Sequence, residues 1–327
     1  MKKIYFVTAL ILILAITACV PSKLNLFSDV PDPLKEYTLE GTGKDKILLI
    51  AVNGLISDSA KSGLITSSPS LVEQIVTQIR KAQNDKQIKA VLFKINSPGG
   101  TITASDLLYH EILLYKEKTG AKIVVSMMDL ATSGAYYMSL PADLIMAHPT
   151  TITGSVGVIT LQPKVAGLME KIGLGVDVKK YGKYKDMGSP FRESSADEQK
   201  YLQKTVNDFG ERFISLVKKH RKLTAPAVAE ISTARMFLAD EALQLGLIDK
   251  IGYISDATRE AKKIAGIPDD SRLVVYRRAE FPEDNYYNTA NATAGALNIL
   301  AINIDLPEIL GLKAGFYYLW PGAMATQ

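Results

Sequence analysis

The chain has 327 residues, 47% apolar and 22% charged, with 38 Lys and Arg against 34 Asp and Glu and a net charge of +4. These values exclude collagen, wholesale disorder and a multi-span membrane protein, and so small a scattered charge argues against nucleic acid as a partner. One cysteine and three histidines exclude a disulfide framework within the chain and a Cys- or His-rich metal centre, so no metal and no cofactor are expected.

The chain opens with Lys2 and Lys3, then an uncharged stretch from Ile4 to Ala18, then Cys19. A positive start, a short apolar core and small residues before a cleavage point read as a secretory signal. The stretch is shorter than the roughly 20 residues of a membrane-spanning helix. Ile16-Thr17-Ala18-Cys19 also resembles the bacterial lipobox, which predicts lipidation at Cys19 and residues 1–18 as a cleaved signal. The mature chain is then anchored to a membrane, not threaded through it, with its folded part on the extracytoplasmic side of the cell envelope. An ordinary secretory signal with an incidental cysteine is the bland alternative.

Residues 19–44, with Pro21, Pro31 and Pro33, read as a tether. Residues 45–280 then carry the folded pattern. Ile47–Val52 is a strand-length apolar run, and Ser70–Asn84 has apolar residues at helical spacing. A strand is predicted over Ile88–Ile95, a helix over Thr101–Lys118 and a strand over Lys122–Met127. A short helix over Gly134–Leu140 and a strand over Asp143–Ala147 follow. Apolar strands alternating with helices predict an α/β fold with a parallel sheet covered on both faces. Helices over Asp197–Lys222, Asp240–Leu245 and Ser255–Ala265 and a strand over Leu273–Arg277 complete the body. Residues 281–327 read as a linker and an apolar tail containing Phe316-Tyr-Tyr-Leu-Trp320.

Three segments hold the candidate chemistry. Asn96-Ser97-Pro98-Gly99-Gly100 follows a strand, and its backbone amides at the sheet's carboxyl end suit an oxyanion hole; a plain strand-to-helix turn is the alternative. Ser133 follows another strand and precedes a helix among small neighbours. It is a nucleophile there or merely a helix cap. Of the usual bases, His110 and His220 lie in charged surfaces and His148 precedes Pro149, so none has a compelling setting. Tyr181-Gly-Lys-Tyr-Lys-Asp-Met-Gly188 offers a lysine base instead. Lys183 and Lys185 share one face of an extended segment, so spacing does not choose between them.

Together and in this order, Asn96–Gly100, Ser133–Tyr137, Thr153-Gly-Ser-Val-Gly-Val158 and Lys183–Asp186 resemble the bacterial signal peptide peptidase A family in its short form. Its members are serine proteases with a Ser-Lys dyad. The resemblance covers about Lys46 to Ala265. It implies a Clp protease/crotonase-like spiral of βαβ units with C-terminal helices. It implies Ser133 as nucleophile and, at the family's spacing, Lys185 as general base, with Ser155 orienting the lysine. Gly100 and Gly134 would supply the oxyanion amides. Where the family usually has a second glycine this chain has Ala135. The implied activity is a membrane-anchored endopeptidase that degrades cleaved signal peptides, working as a homo-oligomer on peptide substrates. Competing expectations are an envelope protease with other substrates, a crotonase-type acyl-CoA enzyme and an inactive lipoprotein scaffold.

Overall fold

The computed structural model describes residues 33–62, 67–278, 285–286 and 314–322. The chain divides into a unit ending at Leu34 and a body from Lys35 onward, and every element below belongs to the body. The signal segment, Cys19, most of the expected tether and most of residues 281–327 lie outside the described residues. Among the described residues, no helix is long and apolar enough to cross a membrane.

Strand β1 (Lys35–Glu40) corrects the first boundary, because it falls inside the stretch read as a tether. Tyr37 and Leu39 pack on the core from alternate positions, which is the period of a half-buried strand. The nearby prolines mask that signal. Strand β2 (Lys46–Asn53) follows, then a small ladder of β3 (Lys61–Ser62) and β4 (Ser67–Ser68). Helix α1 (Leu71–Ala82) starts at Ser70, whose hydroxyl accepts from the Glu73 amide. Next come β5 (Ile88–Ser97), β6 (Gly99–Thr101), α2 (Ile102–Thr119), β7 (Lys122–Thr132), α3 (Gly134–Ser139) and β8 (Leu144–Ala147). Short strands β9 (Ile152–Gly154) and β10 (Ile159–Leu161) lead to α4 (Ala166–Lys171). Helices α5 (Ala196–His220) and α6 (Ala225–Ile231), strand β11 (Met236–Leu238) and helix α7 (Ala239–Gln244) follow. The order ends with β12 (Lys250–Ile251), α8 (Ile254–Ala265), β13 (Arg272–Arg277) and β14 (Gly315–Leu319).

The main sheet runs β1-β13-β2-β5-β7-β8-β12. Its strands from β13 to β12 are parallel, and β1 is an antiparallel edge. Parallel neighbours need a crossover, which α1 supplies between β2 and β5 and α2 between β5 and β7. The strands are apolar throughout because both faces are covered. Ile47 and Leu49 pack with Leu92, Val124 and, on α8, Ile254, Ala257 and Ala261. Leu48 and Ile50 point the other way and are equally buried. The outer end of β7 also pairs with β9, which carries β11. A second, antiparallel sheet has the order β10-β14-β6. Its middle strand comes from the apolar tail.

Candidate active site

Ser133 sits between the end of β7 and the start of α3. Its φ of +54° and ψ of −115° lie in a region that residues with a side chain rarely adopt. The chain must turn there from strand to helix in a single residue. Two backbone bonds hold the turn. The Ser133 amide donates to the Gly154 carbonyl, and the Tyr137 amide donates to the Ser133 carbonyl, both at 2.8 Å. The side chain makes no cap hydrogen bond, so the helix-cap reading fails. Ser133 is 1% exposed. Among the described residues its Oγ has no hydrogen-bond partner. A buried unpaired hydroxyl costs about 1–3 kcal/mol and a strained backbone costs a similar amount. Such an arrangement persists where the surrounding structure enforces it, most often at functional sites.

The glycine segment is more than a strand-to-helix turn. Ser97 Oγ accepts from the Gly99 amide at 3.1 Å, and Gly99 has φ +98°. The Ile56 amide donates to the Gly99 carbonyl at 2.8 Å, and the Ile56 carbonyl accepts from the Thr101 amide at 3.0 Å. The backbones are so close that a Cβ on Gly100 would lie 1.8 Å from the Ile56 carbonyl oxygen. A Cβ on Gly134 would lie 2.3 Å from Ser105 Oγ and 3.1 Å from the Gly100 amide nitrogen. Gly134 and the Gly100 amide nitrogen are therefore close neighbours, next to Ser133 in the fold. The same Gly134 Cβ would lie 3.0 Å from the Tyr318 carbonyl oxygen. The Tyr318 carbonyl thus lies beside Gly134.

Ser155 lies one residue beyond Gly154, whose carbonyl holds the Ser133 amide. It is 9% exposed, with φ +50° and its own amide bonded to the Arg235 carbonyl at 2.9 Å. The two serines are thus tied to one backbone junction.

The lysine segment is a run of turns, which corrects the extended reading of residues 181–188. Lys183 Nζ pairs with Asp197 at 2.8 Å. Hydrogen bonds to Asp197, and then to Tyr184, push its amine above the usual lysine range. A general base needs the opposite shift. Lys185 is exposed and has no ion pair among the described residues. No hydrogen bond joins Lys185 to Ser133 within one chain. The residues after Lys185 are anchored. Arg192 pairs with Asp186 at 2.8 Å and with Glu198 at 2.6 Å, while Lys180 also bonds Asp186. Glu198 and Ser195 form the capping box of α5. Sequence reading missed Arg192. Ser195 with Glu198 three residues on is a legible capping box, and it marks where the loop ends.

The histidines are engaged elsewhere. His220 Nε2 lies 2.9 Å from Tyr109 Oη, His148 Nδ1 lies 2.8 Å from Thr150 Oγ1, and His110 is exposed. Among the described residues, no cluster of three or more His, Cys, Asp or Glu is placed to hold a metal ion.

Behind Ser133, Tyr137 donates to Asp106 at 2.5 Å, and Arg212 pairs with the same carboxylate at 2.8 Å. Burial would raise the Asp106 carboxyl, but these two hydrogen bonds outweigh it and hold it below the usual carboxylate range. A depressed carboxyl stabilises the fold above its unfolded value, near pH 3.9, and loses that contribution as pH falls through its folded value. Asp106→Asn should therefore lower the melting temperature at pH 7. The gap to the parent should narrow as pH falls below the unfolded value and through the folded one, measured by thermal melts at pH 7 and along an acid series. Partial exposure keeps the effect small through solvent screening.

The profile of peptidase family S49 matches residues 115–268, which include Ser133, Ser155 and both lysines. A chain of Enterococcus faecium described as a candidate signal peptide peptidase SppA is 36% identical over 245 residues, covering 75% of this chain and 71% of that one. The chain belongs to peptidase family S49. It is a serine-type peptidase. A second relative, described as a candidate protease of Methanocaldococcus jannaschii, is 32% identical over 270 residues, covering 82% of this chain and 84% of its own. Among solved structures, a mutant ClpP1 from Listeria monocytogenes covers 64% of this S49 peptidase and 93% of itself, with a TM-score of 0.41 and 17% identity.

Proposed function

We propose that this S49 peptidase is a membrane-anchored endopeptidase in which Ser133 attacks the peptide bond and Lys185 of a neighbouring copy serves as its base. The observation that carries the reading is Ser133 itself: buried, strained, unpartnered and flanked by the amides of Gly100 and Gly134. Neutral Lys185 takes the Ser133 proton as Oγ bonds to the carbonyl carbon. The amides of Gly100 and Gly134 receive the oxyanion. Lys185 then gives the proton to the leaving amine, and water hydrolyses the acyl-serine. Ser155 orients the lysine.

The base comes from a second copy because Lys185 is exposed on a surface built for cover. In the segment leading up to it, Leu168, Ile172, Leu174, Val176 and Tyr181 expose 48–99% of their surface. Contiguous exposed apolar surface marks an interaction site. Mixing Ser133→Ala with Lys185→Ala chains should restore hydrolysis that neither has alone. Lys183→Ala should keep activity. Mixed oligomers that remain inactive would count against the shared site.

Signal peptides left after export are the proposed substrates. The relative described as a signal peptide peptidase supports this reading, as does the lipobox at Cys19. The anchor is tested by Cys19→Ser, which should move the protein from the membrane to the soluble fraction.

A further inference from the structure

Between α4 and α5 the chain runs from Ile172 to Ser195 through turns and irregular backbone, and none of these residues is buried. No apolar core can therefore set the shape of the segment that carries Lys185. Polar ties must do so. Lys164, ahead of α4, donates to the Ser189 and Arg192 carbonyls at 2.9 and 3.0 Å and to Ser194 Oγ at 3.1 Å. Arg192 makes a second tie with its whole guanidinium. Nε and Nη2 donate to the two Asp186 carboxylate oxygens at 2.8 Å each. Nη2 and Nη1 donate to the two Glu198 oxygens at 2.6 and 2.9 Å. The same two nitrogens reach the Asp186 carbonyl at 3.2 Å and the Glu193 carbonyl at 2.9 Å. Exposed ion pairs commonly contribute little. This one differs because every guanidinium nitrogen is used and one carboxylate is buried.

That buried carboxylate is the fixed end. Glu198 is 2% exposed, and its Oε2 accepts from the Ser195 amide at 2.7 Å at the start of α5. Helix α5 is fixed in turn by Phe213 and Val217, both fully buried. At the other end, Asp186 is the residue next to Lys185, and its carbonyl also accepts from the Ser189 amide at 3.1 Å. The grip thus links a packed 25-residue helix to backbone one peptide bond from Lys185.

The grip also commits the nearby charge. Asp186 accepts from Lys180 as well as from Arg192. Hydrogen bonds from Arg192 and then Lys180 hold Asp186 below the usual carboxylate range. Hydrogen bonds from Arg192 and then the Ser195 amide bring Glu198 down to about 2. Both carboxylates stay ionised through the neutral range, so the grip does not loosen there. Lys183 is paired with Asp197 of α5. Among the described residues Lys185 is left without an ion pair, and an ion-paired ammonium is a poor base.

We infer that Arg192 is a positioning residue for the general base. By gripping Asp186 and Glu198 together, it fixes the backbone beside Lys185 and keeps the adjoining carboxylate from pairing with the amine. The inference rests on the reading of Lys185 as base.

The test uses the full chain, a fluorogenic peptide and the variants Arg192→Ala and Arg192→Lys. No residue of the segment is buried, so each variant should fold and match the parent in sedimentation velocity. A base displaced by about 1 Å costs about 10²-fold, so Arg192→Ala should lose about that much kcat. KM should hold, because ground-state binding is untouched. Lysine keeps the charge but not the planar fork, so Arg192→Lys should fall nearly as far. The Arg192 side chain is 34% exposed, so methylguanidine can enter the gap left between the two carboxylates. It should raise kcat of Arg192→Ala several-fold and leave the parent and Lys185→Ala unchanged. Parental kcat in either Arg192 variant, a change confined to KM, no response to methylguanidine or an altered sedimentation profile overturns the inference. Lys185→Ala separates the two readings. If it is inactive while Arg192→Ala has parental kcat, only the grip fails. If Lys185→Ala keeps parental activity, the reading of Lys185 as base fails.

Discussion

Ser133→Ala should lower kcat/KM for peptide hydrolysis by about 10⁴-fold or more, in line with the loss of a nucleophile from other serine proteases. The fold should survive, because among the described residues Oγ makes no hydrogen bond whose loss would matter. Removing a buried unpaired hydroxyl also removes its desolvation penalty, so the melting temperature should hold or rise. A companion variant isolates the backbone strain. Ser133→Gly should be equally inactive yet more stable than Ser133→Ala by up to about 1 kcal/mol, since glycine adopts positive φ without a Cβ clash. Circular dichroism melts and peptide kinetics on the three chains decide the matter. Activity in Ser133→Ala above about a hundredth of the parent would remove Ser133 from the chemistry.

Gly100→Ala should damage both activity and stability. Its Cβ would lie 1.8 Å from a backbone oxygen, that of Ile56, which has no flexible end to swing away. The strand must shift, at a cost of about 3 kcal/mol, or roughly 5–10 °C in melting temperature for a body of this size. The shift moves the Gly100 amide away from the oxyanion. Losing one such donor costs about 10²–10³ in kcat. Gly167→Ala is the control, because its Cβ meets nothing within 4 Å. A Gly100→Ala chain with parental kcat would show that this amide does not serve the oxyanion.

Much of the main sheet is legible in the chain alone. Runs such as Ile47–Val52 and Ile88–Ile95 are apolar enough that only a strand covered on both faces suits them. The helix over Leu71–Ala82 shows in its spacing and its Ser70 cap. Less legible are the short elements. Lys35–Glu40 hides behind prolines, and β9, β10 and β11 have three residues each, too few for a period to register. Helix α6 at Ala225–Ile231 is likewise brief. The lysine segment looks extended by spacing, but glycines at 182 and 188 with positive φ fold it into turns.

The motifs at Gly99–Gly100, Ser133 and Ser155 are local, so their candidacy follows from residue type and order. Their convergence is not local. β5, β7 and β9 bring those positions together because parallel neighbours end at the same edge of the sheet. The tail shows the division most clearly. Composition marks Phe316–Trp320 as apolar and says no more. Its place between β6 and β10, with Tyr318 against Phe213 and its carbonyl beside Gly134, is decided by tertiary structure. A strand's side-chain pattern states which faces it will bury. The edge it joins depends on which unpaired backbone the rest of the fold leaves within reach.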